Sequence, residues 1–155
     1  MRTSARFFVA AAFLLFFNQL TTCGAKKPVR ISVAIAAGPN LNPDASGNPL
    51  SVVVRIYQLK DRGRFESADY DTLWKNEKEA LADDLLQQLE RVIRPGSQEI
   101  VDIQENPAAT FIGVVALFRN PSGDSWRKII PVSTKARSIS VTLHDYAVDI
   151  APNTK

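Results

Sequence analysis

The sequence predicts a mainly β domain, a two-sheet β-sandwich carrying one small helical insert. Three observations predict it. Apolar and polar residues alternate with period two in several separate runs, each the length of a strand. Turn residues punctuate those runs: Pro95-Gly96, Asn106-Pro107 and Asn120-Pro121-Ser122-Gly123. One stretch, Ser67 to Leu86, has no β-branched residue except Thr72 and follows helical spacing instead.

Ahead of the first strand lies a segment of different character. Arg2 and Arg6 precede Phe7–Phe17, which is almost wholly apolar. A spanning helix needs about 20 apolar residues, so this run has the length of a signal-peptide core. Asn18 and Gln19 break it, and Leu20-Thr21-Thr22-Cys23-Gly24 follows. A leucine three places before a cysteine, with small residues between, looks like a bacterial lipoprotein signal. Thr22 stands where such signals usually have Gly, Ala or Ser. Cys23 is the only cysteine in the chain, so it has no intrachain disulfide partner. The expected layout is a signal over residues 1–22, a lipidated tether over 23–28 and a sandwich over 29–151. The alternative is an ordinary secretory signal with an incidental cysteine beside it.

The 133 residues after the signal are one domain's length, enough to bury a core. The whole chain has a formal charge of +3. Losing Arg2 and Arg6 leaves +1, with no basic block to follow a phosphate backbone. Nucleic-acid binding is therefore disfavoured.

The elements follow in order. Val29, Ile31, Val33 and Ile35 share one face, opposite Arg30 and Ser32, and predict the first strand. Leu50–Leu59 predicts the second, with Val52, Val54 and Ile56 on one face and Ser51, Arg55 and Tyr57 on the other. Over 67–86 a helical insert is expected. Ser67 can cap it, Asp69 and Asp71 suit its first turn, and Tyr70, Leu73 and Trp74 form one apolar face. Leu81, Leu85 and Leu89 repeat every four residues, which also suits a helix. Val92-Ile93 before Pro95 reads as strand, so a strand is expected from about Leu89. Phe111–Phe118 is apolar on both faces, as in a central strand. Trp126–Val132, Ser138–Leu143 and the run through Tyr146, Val148 and Ile150 complete the set.

The connection between the first two strands is the candidate binding element. Gly38–Pro49 is more than twice the usual hairpin loop of two to five residues. It holds Pro39, Pro43 and Pro49, which stiffen it, and Asn40, Asn42, Asn48 and Asp44, which can bond nearby backbone. A long, semi-rigid loop on a β scaffold suits recognition. Leu41, apolar among polar neighbours, reads as a side chain waiting for a partner to cover it. The alternative is a solvent-exposed connector.

Catalytic chemistry finds little support. His144 is the single histidine, beside Asp145 on the polar face of its strand, and sequence adjacency is not a triad. The clustered His, Cys or carboxylate ligands of a metal site are not evident. Asp69 with Asp71, and Asp83 with Asp84, lack the glycine-bearing loop of calcium sites. Trp74 and Trp126 read as core or rim packing, and Arg127 as a strand-edge arginine. A periplasmic module that binds a small ligand between its sheets remains the alternative to a scaffold, with a lipid-anchored enzyme ranked behind both.

Taken together, these residues resemble the type VI secretion outer-membrane lipoproteins, the TssJ family. The likeness runs through the lipidated cysteine, then Asn42-Pro43-Asp44 with Gly47 and Pro49 close behind. Val52-Val53-Val54-Arg55-Ile56-Tyr57-Gln58-Leu59 is its most specific piece. Phe65–Leu73, Asp84-Leu85-Leu86, Arg94-Pro95-Gly96, Ile112-Gly113-Val114-Val115-Ala116 and Trp126-Arg127 follow in the family's order. The resemblance implies a transthyretin-like sandwich of two four-stranded sheets with a helical addition. It implies N-acyl and diacylglycerol lipid on Cys23 and no other cofactor. Gly24 rather than aspartate after the cysteine implies sorting, in enteric bacteria, to the periplasmic face of the outer membrane. The implied partner is the periplasmic C-terminal domain of the inner-membrane protein TssM. Its contact would fall on Asn40, Leu41, Asn42, Pro43, Asp44, Ala45, Ser46, Gly47 and Asn48. The implied function is a non-catalytic scaffold of the secretion membrane complex.

Overall fold

Alternation sets the outline of the fold, and the computed structural model describes residues 28–132 and 137–153 of it. Eight strands form: β1 Arg30–Ala37, β2 Val52–Leu59, β3 Leu85–Ile93, β4 Gln98–Gln104, β5 Phe111–Ala116, β6 Arg127–Pro131, β7 Ser138–His144 and β8 Ala147–Pro152. They build two four-stranded sheets, ordered β4-β1-β7-β8 and β3-β2-β5-β6. β1 is antiparallel to β4 and parallel to β7. β2 is antiparallel to both β3 and β5. The doubly apolar run at Phe111 is an interior strand, as its pattern predicts.

The inner faces meet in a filled layer. Val33, Ile35, Val54, Ile56, Val114, Val141 and Leu143 are each at most 1% exposed. A side-chain period of two puts these residues on one side of their strands, and burying them fixes the register. Gln58 is a buried polar exception, and its amide is satisfied. It donates to Gln87 Oε1 and to the Gln104 carbonyl, and it accepts from the Asn106 amide.

Strand polarity gives the sandwich two distinct ends. β1 runs from Arg30 at one end to Ala37 at the other. The tight Arg94–Ser97 turn joins β3 to β4 beside the far end of β1, with the Gly96 amide donating to the Gly38 carbonyl. Gly96 has φ +69°, which a glycine adopts without strain. The β1–β2, β3–β4, β5–β6 and β7–β8 connections therefore share the end remote from the start of β1. The β4–β5 connection lies at the end where β1 begins, and there the Glu105 amide donates to the Val29 carbonyl. Eight residues of strand separate the two ends by about 25 Å.

The helical insert differs from the single helix expected over 67–86. It consists of α1 Gly63–Ser67, α2 Tyr70–Lys75 and α3 Glu77–Leu81, then a 3₁₀ turn at Ala82–Asp84. Ser67 ends α1 rather than capping a helix, and its hydroxyl donates to the Gly63 carbonyl. Asp69 is the cap of α2, accepting from the Thr72 amide at 2.7 Å. Asn76, at φ −136°, separates α2 from α3. Ala82, at φ +43°, ends α3. The strand then starts at Leu85, four residues earlier than expected. A spacing of four keeps residues on one face of a helix and also on one face of a strand, so Leu81, Leu85 and Leu89 fit either. Across the β2–β3 ladder Leu89 opposes Ile56 on the inner face, and a register shift at Gln58/Leu59 sets Leu85 opposite Leu59 on the insert side.

Each short helix buries one apolar side chain: Phe65, Leu73 and Leu81. They cover the outer face of the β3-β2-β5-β6 sheet. Phe65 lies against Gly113, where a Cβ would stand 2.9 Å from Phe65 Cε2. Two arginines fasten the insert. Arg55 on β2 donates to the Leu73 and Trp74 carbonyls and pairs with Glu90 at 2.9 Å and Glu77 at 3.3 Å. Arg127 on β6 donates to the Phe65 and Ala68 carbonyls and pairs with Asp124. Beside Arg55, the fully buried Tyr57 hydroxyl has no protein partner among the described residues, and burial pushes its phenol up to about 12.

Candidate functional site

The β1–β2 connection folds back on its own domain in three tiers. Its root is buried. Leu41 is 0% exposed, and its carbonyl accepts from the Leu50 amide, closing the loop. This overturns the expectation that Leu41 waits exposed for a partner: the loop returns on itself and places that side chain in the core. Asn42 is 3% exposed and adopts φ +47°, a conformation asparagine tolerates better than most residues. Its Nδ2 donates to the Ser51 carbonyl at 3.1 Å, and its Oδ1 accepts from the Arg119 amide at 2.9 Å. Its backbone amide donates to the Asp145 carbonyl. One buried residue thus joins the β1–β2, β5–β6 and β7–β8 connections.

The neck follows. The Pro43 carbonyl accepts from the Tyr146 hydroxyl at 2.6 Å and from Arg119 Nη1 at 3.3 Å. Tyr146 in turn packs edge-on against Phe118. Asp44 organises what lies beyond. Its Oδ1 accepts from the Ser46 and Asn48 amides, at 2.8 and 2.9 Å, and its Oδ2 from Asn48 Nδ2. These bonds, led by the Asn48 side chain, hold its carboxyl below the usual carboxylate value. Gly47, at φ +84°, completes the turn. The tip, Ala45-Ser46-Gly47-Asn48, is exposed, as is Asn40 at the loop's start.

Of the nine candidate loop positions, seven are thus at least partly accessible, while Leu41 and Asn42 form the socket. Arg119 and Tyr146, the buttresses, come from connections 76 and 103 residues away along the chain from Pro43. No local pattern announces them. Cys23 lies outside the described residues.

The remaining chemistry is sparse. His144 Nε2 is 3.4 Å from Asp149 Oδ2, and both side chains are more than half exposed. No group of three or more His, Cys, Asp or Glu among the described residues is placed to hold a metal ion. A cleft of about 400 Å³ lies between the α1–α2 junction and the β5–β6 connection. Trp126 in its wall is buried, packed edge-on against Tyr70 and covered by Arg127.

Comparison with known proteins gives a consistent picture. The family model for the type VI secretion lipoproteins (T6SS-SciN; VasD, EvfM, TssJ) matches residues 29–151. The T6SS lipoprotein TssJ1 from Pseudomonas aeruginosa is 30% identical, with a TM-score of 0.74, over 83% of this chain and 98% of that one. A chain of a structure described as a type VI membrane complex is 34% identical, with a TM-score of 0.75, over 81% of this chain and 100% of that one. A chain in a structure described as the TssM C-terminal domain from EAEC is 32% identical, with a TM-score of 0.69, over 80% and 98%. No curated protein shows significant sequence similarity to the chain.

Proposed function

The chain belongs to the type VI secretion TssJ lipoprotein family, and on that premise we propose that it is a lipid-anchored, non-catalytic scaffold joining an envelope-spanning complex to the outer membrane. Lipid on Cys23 supplies the anchor at the periplasmic face. Burial of acyl chain contributes about 0.8 kcal/mol per CH₂, and several chains together hold where one holds marginally. The β1–β2 loop supplies the contact with the periplasmic domain of a TssM-type inner-membrane partner.

The observation that carries this reading is the polarity of the domain. The chain enters β1 at Arg30, and the loop leaves β1 at its other end, about 25 Å away, so lipid carried ahead of β1 and a partner on the loop would sit at opposite ends. Asn42, Asp44, Arg119 and Tyr146 hold the loop in one shape there, so little freedom is lost when a partner binds.

Replacing Ala45–Asn48 with a Gly/Ser segment tests it, because the socket residues Leu41 and Asn42 stay in place. Affinity for the TssM-type periplasmic domain should collapse, with the melting temperature and membrane fraction retained. Unchanged affinity would refute the loop assignment.

A further inference from the structure

The helical insert joins β2 to β3 as an excursion closed at its base. The Lys60 amide donates to the Asp84 carbonyl at 2.9 Å and ties the two roots together. Leu59 faces Leu85 in the ladder directly beneath them. Movement of the insert therefore leaves β2 paired with β3. Its helices are five, six and five residues long, and helices that short do not persist in water by themselves. Each is held by the one apolar side chain it buries and by a few polar ties. Arg55 holds α2 and α3, Arg127 holds α1, and the Tyr70 hydroxyl donates to the Phe118 carbonyl at 2.6 Å.

Two features cost free energy only while the insert is down. Ala82, where α3 ends, has φ +43° and ψ −125°. Glycine adopts that conformation freely, whereas a Cβ resists it. Ala82 is itself exposed, and the buried Leu81 before it pins the chain in place. The second feature is the Tyr57 hydroxyl. Tyr57 opposes Gly113 in the β2–β5 ladder and meets the Phe65 ring edge-on at 6.0 Å, so it faces the insert. Its hydroxyl is buried with no protein partner among the described residues. Such a group is costly to bury, and water satisfies it once the cover is off.

We infer that the insert is a strained lid, which opens as a unit while the two sheets stay paired. Backbone strain persists only where the surrounding structure imposes it, and it gathers at segments that switch. Opening relieves Ala82 and Tyr57 together. The helices come away together because none is stable off the sheet and Arg55 links α2 to α3. The face uncovered carries Tyr57, Leu59 and Val115, each 0% exposed when the lid is closed.

Native-state hydrogen exchange on the whole chain tests this. The Glu66, Leu73 and Ala80 amides donate to the Arg62, Asp69 and Asn76 carbonyls and report on α1, α2 and α3 in turn. All three should show one protection factor, agreeing within about threefold and lying roughly tenfold or more below the β1 amides. Their exchange should also depend less steeply on urea, because lid opening exposes less surface than global unfolding. Ala82→Gly should raise protection at all three by about fivefold, since it removes the strain at an exposed position. Tyr57→Phe should act in the same direction by deleting the unpaired hydroxyl. Protection equal to that of β1 means that the insert opens only with the whole domain, and overturns the lid. Unequal protection across the three helices means piecemeal fraying, and overturns it too. A fall in protection in either variant shows that the closed state is not the strained one, with the same consequence.

Discussion

Replacing Asn42 with alanine should destabilise the domain by about 4 kcal/mol and release the β1–β2 loop from its socket. The magnitude follows from three losses. The Arg119 amide loses its acceptor at a part-buried position, which costs about 1–3 kcal/mol. The Ser51 carbonyl loses the Nδ2 donor but can turn to water, so the cost is about 1 kcal/mol. Alanine at φ +47° adds about 1 kcal/mol that asparagine, with its local hydrogen bonding, largely avoids. Against a typical total of about 5–15 kcal/mol this is a large fraction. Asn42→Gly should be about 1 kcal/mol milder than alanine, because it removes the backbone term and keeps the other two. Asn42→Asp keeps the acceptor for Arg119 and should fall between wild type and alanine. Urea unfolding reads the stabilities, and hydrogen exchange at the Arg119 amide reads the socket. A loss below about 1 kcal/mol for alanine, or unaltered exchange at Arg119, would show that Asn42 does not tie the three connections together.

Other perturbations reach the remaining parts of the architecture. Arg55→Met should cost about 3 kcal/mol, since it strands the Leu73 and Trp74 carbonyls and the largely covered Glu77. Thermal melts with tryptophan fluorescence would show the insert loosening, and an unchanged melt would remove the clamp from the account. Gly113→Ala should cost about 1–3 kcal/mol by pressing a methyl into the Phe65 ring. Adding Phe65→Leu should recover part of that loss, and strict additivity in the double-mutant cycle would count against the contact. Asp44 gives the β1–β2 loop a pH dependence. Its folded pKa lies below the ordinary 3.8, so its contribution is complete above 3.8 and disappears as pH falls through the lower folded value. Amide resonances of Ser46 and Asn48 should therefore titrate below pH 3.8, and a midpoint above it would contradict the cage around the carboxylate.

How much of this was legible in the sequence depended on whether a pattern had one physical reading. Val141 alternates with Ser140 and Thr142, Val33 and Val54 each have one polar neighbour, Ser32 and Arg55, and β1, β2 and β7 appear where that patterning places them. β4 escaped because Ile100 faces solvent, which spoils the alternation of Val101 and Ile103. The insert was placed in the right region, but its end was hidden by the leucines at 81, 85 and 89. Their spacing suits both periods, and pairing with β2 decides for strand from Leu85. The family resemblance was legible in ordered short motifs, and the family match spans the same region. The loop's length and stiffness were legible too. Its interior was not, because Leu41 is buried by a fold-back and Asn42 bonds to Arg119, 77 residues on. Neither Arg119 nor Tyr146 carries a local signature of its role. Similarly, Arg55 reads as an outward strand residue until α2 is laid over it.

The claim that the domain is a bridge with its lipid at one end and its partner at the other can be tested in place. A photoreactive residue at Ser46 samples the remote tip, and one at Ala108 samples the exposed β4–β5 connection at the end where β1 begins. Both would be introduced into the lipidated chain in cells that assemble the secretion complex. The account predicts crosslinks to the TssM-type protein from position 46 and none from position 108. Crosslinks from 108 with none from 46 would place the partner at the membrane-proximal end and contradict it.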